Sequence, residues 1–343
     1  MEGNEITSPL PLLDGAGRPL NFGWARGPFF EYNPPFLGGA PKTRINETER
    51  YIIFSPTHIL IFEVIDGGFL GHLGVSIVSM KDKGRSTQNI DSLFPLGRFN
   101  LPNGPEQGAV KIREKGCLLD FVPMEGGARI IKVDIPRFGR HRYLRGEVAL
   151  SPPPAAQSIV TAAPWRRDKW AFRLFRCSPW YVTEGVMQFG AVDLYFTKDN
   201  AWGIHDWKRE VRPRRDIRYW AAACGAAGGR RIGFNAGYGS ADSGAGTENA
   251  FFLDGVIHKL DQVAFHIPPA NWLREWALTS NDKRLEMIFT PNQERTGRGS
   301  VLLHSVTCRQ VFGTFSGRVI LDNGETLTFW NITGFAERRK TRF

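Results

Sequence analysis

From Arg50 onward the chain is written as short apolar runs cut by turn residues. Residues 51–54, 58–65 and 69–80 are rich in β-branched and aromatic side chains. Ser55-Pro56 and Asp66-Gly67-Gly68 separate them, which predicts strands joined by turns. Residues 117–123 and 128–135 flank Glu125-Gly126-Gly127 as a hairpin, and 145–150 adds a further strand. The second half repeats the pattern at 170–176, 181–188, 191–196, 219–224, 276–279 and 284–289. Asp254-Gly255 joins 249–253 to 256–260, and Asp322-Asn323-Gly324 joins 311–321 to 325–332. Nowhere do apolar residues hold a helical spacing over three turns. The pattern predicts an all-β, antiparallel protein. Many short strands at such spacing read as a sandwich or an up-and-down barrel, and 343 residues suit two linked barrels better than one sheet pair.

The organisation expected from this pattern has three parts. Residues 1–48 form an arm in which Pro9, Pro11, Pro19, Pro28, Pro34, Pro35 and Pro41 forbid a long helix or central strand. Trp24, Phe29, Phe30, Tyr32 and Phe36 give the arm apolar surface to wrap a barrel or plug its mouth. Residues 49–160 form a first barrel and 161–343 a second. The junction is expected between Leu150 and Ala171, near Ser151-Pro152-Pro153-Pro154-Ala155-Ala156.

Composition adds limits. With 42% hydrophobic and 12% aromatic residues the chain can build packed cores, which excludes global disorder. Its formal net charge of +10, from 44 Lys+Arg against 34 Asp+Glu, favours an anionic contact: a carboxylate, a phosphate or a membrane surface. The four cysteines are far apart, which argues against a zinc ribbon or disulfide framework. The start lacks a basic, then apolar, leader, and the run 59–65 is short and broken by Glu63. The expectation is a cytoplasmic protein without a transmembrane segment, for which peripheral membrane contact stays open. No phosphate loop, metal-ligand pair or nucleophile elbow occurs, so no metal and no cofactor are expected. No nucleic-acid module accompanies the charge, so no nucleic acid is expected either.

The candidate chemistry gathers between Trp202 and Asp261. Asp206 lies between His205 and Trp207, either as a turn cap or as an acid in apolar surroundings, where burial raises a carboxyl pKa and makes it a proton donor. Glu248 is a second candidate acid, and His205 could position water or take up the proton. Lys208, Arg209, Arg212, Arg214, Arg215 and Arg218 form a basic segment, read either as a solvated loop or as an anion site. Trp202, Trp207, Trp220, Asn235, Tyr238, Asn249 and Lys259 complete the expected ligand-binding set, with Arg209 holding an anionic group. The glycines from Gly233 to Gly246 read as turn and bulge formers.

Several motifs together resemble a mostly bacterial family known as a domain of unknown function. They are Asn4-Glu5-Ile6-Thr7-Ser8-Pro9, Asp206-Trp207 with Arg209, Asn235-Ala236-Gly237-Tyr238-Gly239, Thr247-Glu248-Asn249-Ala250, His258-Lys259-Leu260, Gln310-Val311-Phe312-Gly313 and Gly334-Phe335-Ala336-Glu337. More distantly the chain is similar to the group of carotenoid hydratase (hydroxyneurosporene synthase), tocopherol cyclase and certain fungal pericyclases. That resemblance implies two lipocalin-like barrels and an Asp, here Asp206, that protonates an alkene. The leading expectation is therefore a cofactor-independent hydratase, isomerase or cyclase acting on an apolar or amphipathic small molecule in a Trp-rich barrel mouth. A non-catalytic carrier of lipid-like ligands is the alternative, and a glycan-active enzyme using Asp206 and Glu248 as a carboxylate pair is a third.

Overall fold

The computed structural model describes residues 3–33, 39–40, 42–139, 142–153, 155–165, 168–239, 241–301 and 304–342. Pro34, Pro35, Phe36, Pro41 and Pro154 lie outside them. Two curled antiparallel sheets make up the body: a near-barrel, then a half-barrel. In the first, the strands run in the order Arg85–Leu93, Leu70–Ser79, His58–Gly67, Ile45–Phe54, Trp202–Val211, Asp168–Phe189, Arg142–Ser151, Arg129–Phe138, Cys117–Pro123, Val110–Glu114. Ile159–Trp165 and Val192–Phe196 pair with the long strand Asp168–Phe189. In the second, the order is Val256–Lys259, Ala250–Leu253, Arg230–Tyr238, Arg215–Ala227, Thr326–Arg342, His304–Ile320, Leu285–Val301, Trp276–Ser280, Val263–His266.

The turns follow the local chemistry. Asp254 (φ 50°) and Gly255 (φ 95°) both adopt the left-handed region that a two-residue hairpin of this hand requires. The residues expected as two strands, 170–176 and 181–188, instead form one strand of 22 residues. Pro179 sits at a register shift in it, the kind of place where a sheet tolerates proline.

Strands in the middle of the molecule are buried on both faces, which is why they read as unbroken apolar runs. Tyr51 and Ile53 point into the first barrel's core with Leu60, Phe62 and Val64. Ile52, Phe54, Ile59 and Ile61 point the other way, into a layer shared with Trp220, Ala222, Phe312 and Phe335 of the second sheet. The 219–224 stretch is covered on both faces: Ala221 and Ala223 enter the second core, while Trp220, Ala222 and Cys224 enter the shared layer.

Sheet membership changes at residues 212–214, between Trp202–Val211 and Arg215–Ala227, rather than between Leu150 and Ala171. Every strand from Ile159–Trp165 to Trp202–Val211 pairs within the first sheet, so the proline-rich stretch is a connection inside it. The basic segment is solvated only in part: Lys208, Arg209, Arg212 and Arg218 are buried, while Arg214 and Arg215 are exposed. The arm adds Gly23–Ala25 to the first sheet and packs Ile6, Leu12, Leu13 and Phe30 against Phe172, Leu174 and Trp207. Among the described residues no helix is long and apolar enough to cross a membrane.

Candidate functional site

Charged residues cross the first sheet in a row, on the face turned toward the second. Asp206, Arg50 and Glu63 are consecutive cross-strand partners. Arg50 donates from Nε (2.7 Å) and Nη2 (2.5 Å) to one oxygen of Asp206, and its Nη1 lies 3.3 Å from Glu63. Beyond Glu63 the row meets Gly74, its cross-strand partner. A Cβ on Gly74 would stand 2.7 Å from Nε2 of His72, so the glycine makes room for the imidazole. His72 places Nδ1 2.6 Å from Asp91 and Nε2 3.8 Å from Glu63.

The second sheet answers with its own row, in which Arg295, Gln310, Glu337 and Trp220 are again consecutive cross-strand partners. Arg295 donates to Gln310 (2.7 Å) and reaches across to the Ser76 hydroxyl of the first sheet (2.7 Å). Gln310 donates to Glu337 (3.1 Å), which stands 3.7 Å from Arg50. The Arg50 guanidinium lies over the Trp220 ring at 4.4 Å. Between the two rows is a cavity of about 390 Å³, lined by Arg50, Glu63, His72, Asp91, Arg295, Glu337 and Arg339 among others.

Electrostatics in this layer is set by burial against pairing. Burial opposes charge on Arg50, but Asp206, Glu337 and Glu63 outweigh it and raise its pKa. Burial would raise Glu63, yet Arg50, Arg339, His72 and Arg295 hold its carboxyl down at about 2. The hydrogen bond from His72 keeps Asp91 below the usual carboxylate range. Burial, with Glu337 nearby, pushes the Cys308 thiol up to about 12, so it stays protonated.

The model of the domain of unknown function DUF2804 matches residues 3–343. The chain belongs to that family. No curated protein matches it by sequence. Among solved structures, CghA with Sch210972 is similar at a TM-score of 0.54 and 10% identity, over 88% of this chain and 89% of that one. A protein of Nitrosomonas europaea described as a candidate AttH gives a TM-score of 0.50 and 14% identity, over 86% and 92%. Kievitone hydratase from Nectria haematococca follows at 0.49 and 9%, over 89% and 91%. At these identities the likeness is one of fold: this DUF2804 chain shares the double lipocalin-like architecture of the first two.

The structure distributes the sequence-predicted residues of this DUF2804 chain over three places. His205, Asp206 and Trp207 are neighbours in one strand, so alternation sends Asp206 to the inter-sheet face and the other two to the opposite one. Asp206 is therefore not flanked by Trp207 in a barrel mouth. Its shield is Trp220, through Arg50. His205 is fully buried in the first barrel, stacked on Tyr51 at 4.5 Å and bonded to Glu49 at 2.7 Å. Burial, helped by Arg176 and Arg129, lowers its pKa. Arg209, also fully buried, donates to the carbonyls of Thr48, Lys208 and Pro102 and covers Trp207 at 4.4 Å, rather than facing a ligand.

The third place is a cavity of about 580 Å³ at the mouth of the second sheet, lined by Tyr238, Glu248 and Asn249. Glu248 accepts two hydrogen bonds from Arg218, at 2.5 and 3.2 Å. A Cβ on Gly237 would sit 2.0 Å from Glu248, so a larger residue there would displace that carboxylate. Asn235, Asn249 and Lys259 hold backbone groups of the segment from Gly237 to Asp261. Trp202 is half-buried against the shared layer. Asp206 and Glu248 are thus each bound to an arginine of their own, Arg50 and Arg218.

Sequence reasoning missed Arg50, Glu63, His72, Asp91, Arg295 and Glu337. One signal was visible. Glu63 interrupts an apolar run whose strand is buried on both faces, and such a position forces a charge into the interior.

Proposed function

We propose that this chain is a proton-transfer enzyme that holds an amphipathic small molecule between its two sheets and drives addition, isomerisation or cyclisation on it. His72 is the observation that carries the reading: an imidazole on the cavity wall, oriented by Asp91 at 2.6 Å and faced by Glu63 at 3.8 Å. With Nδ1–H donating to Asp91, Nε2 is the atom that exchanges a proton with the ligand. The proton leaves Nε2 for the substrate. The same nitrogen takes one back from the adding water, or from the carbon that forms the new double bond, so the enzyme ends unchanged. Asp206, the acid expected from sequence, becomes a positioning residue that fixes Arg50 and, through it, Glu63 and Glu337.

Mass spectrometry of compounds extracted from the purified protein supplies the ligand, and its conversion is followed by chromatography. His72→Gln should lower turnover by about 10²–10⁴-fold with ligand affinity unchanged, the size of a general acid–base contribution. Turnover within tenfold of the parent would remove His72 from the mechanism. A compound recovered unaltered after prolonged incubation would instead leave a carrier.

A further inference from the structure

We infer that the inter-sheet cavity binds an amphipathic oxyanion, its anionic group between Arg295 and Arg339 and its apolar body against Ile61, Ile65 and Phe69. The inference rests on the proposed function's site and names the class of ligand it takes. Its first support is a charge imbalance. Six arginines line the cavity (Arg50, Arg85, Arg212, Arg295, Arg298 and Arg339) against three carboxylates (Glu63, Asp91 and Glu337), and carboxylates behind the wall add partners for two of them, Asp206 for Arg50 and Glu210 for Arg212. The three lining carboxylates are shared: Glu63 and Glu337 face Arg50 and also act on Arg295 and Arg339, and Asp91 faces His72.

The second support is how the two central arginines are held. Arg295 is tied to neutral partners, the Gln310 amide and the Ser76 hydroxyl, at 2.7 Å each. Burial lowers its pKa despite Glu63 and Glu337 nearby, so its positive charge is under-compensated. The Nε of Arg339 is buried with no hydrogen-bond partner. A guanidinium enclosed without a bidentate acceptor is costly, and an oxyanion supplies what is missing. The third support is shape. Ile61, Ile65, Phe69, Leu70 and Val306 give the same cavity an apolar wall, and about 390 Å³ falls within the range of small-ligand sites. A fully charged ligand such as inorganic phosphate leaves that wall unused, and a neutral apolar one leaves the arginines unpaired.

Isothermal titration with decanoate, decyl phosphate, decanol and inorganic phosphate tests this. Decanoate or decyl phosphate should bind at least tenfold tighter than decanol and than phosphate, with an affinity that falls as salt rises. Arg339→Met and Arg295→Met should each weaken the anions by tenfold or more and leave decanol unchanged, in variants whose circular dichroism matches the parent. Should either variant fail to fold, the decanoate-to-decanol ratio and its salt dependence in the unaltered protein decide alone. Binding of the free anions points to a soluble ligand. Binding only to phosphatidylglycerol vesicles, and not to phosphatidylcholine ones, points to a lipid headgroup. Equal affinity for decanol and decanoate overturns the inference, as does no binding in either format. A failed anion seat with His72-dependent turnover intact would sink only this inference.

Discussion

Two charged clusters lie back to back on the same strands. Glu49 and Arg50 are adjacent, as are His205 and Asp206, yet alternation sends Glu49 and His205 into the first barrel and Arg50 and Asp206 to the layer between the sheets. The barrel cluster pairs mostly within itself, with Glu49 Oε2 and Arg209 Nε buried without a hydrogen-bond partner. His205 meets Glu49 at 2.7 Å, and Arg209 reaches three backbone carbonyls. The inter-sheet cluster is left open, with Glu63, Arg295, Glu337 and Arg339 facing a cavity. Buried charge therefore does not by itself mark a functional site. The distinction lies in whether a cavity stands beside the charges, as it does for the inter-sheet cluster.

The comparison breaks most sharply at Arg209. Arg209→Met removes a guanidinium that three carbonyls, Glu47 and Glu49 are built around, and leaves those carboxylates without it. Urea unfolding should show a loss of about 3–5 kcal/mol, the scale for breaking a buried charged partnership. A loss below about 1 kcal/mol would mean that the closed cluster does not hold the first barrel together.

Asp206→Asn should cost less, about 2 kcal/mol, because Arg50 keeps Glu63 at 3.3 Å and Glu337 at 3.7 Å. Neutral or improved stability would show that Asp206 is a strained acid, in line with the proton-donor role expected from sequence. A melting curve alongside the turnover assay separates the two.

The smallest effect is a pH dependence confined to the closed cluster. Burial lowers the folded pKa of His205 below 6.5, so the unfolded chain binds the extra proton first. Its contribution to stability is complete above about 6.5 and is lost as pH falls below that toward the folded value. His205→Gln should flatten this part of the stability profile while leaving ligand binding in the inter-sheet cavity unchanged. An unflattened profile would place the titrating group elsewhere.

Much of the strand pattern was legible. Cys117–Pro123 appears with the expected bounds, and the Asp254-Gly255 and Asp322-Asn323-Gly324 turns are where their residues put them. Turn chemistry is local, so residues a few positions apart suffice to fix it. The strand Trp202–Val211 was harder to read. Its run of charges resembles a solvated loop, and nothing local says that both faces will be covered.

What the sequence determined by itself is which residues share a face, because side chains alternate along any strand, and where the chain turns, because glycine, asparagine and aspartate tolerate backbone angles that others resist. It also contained the lone Glu63 in an apolar run. The tertiary structure decided which face of each strand meets water, a core or another sheet. That choice depends on pairings between residues far apart, such as Arg50 with Asp206 and Glu337. It set Arg295 against Ser76 and His72 beside Glu63, and so put the cavity where no single segment carries its chemistry. Burial and Coulomb terms act through space, and a linear pattern holds no record of the distances on which they depend.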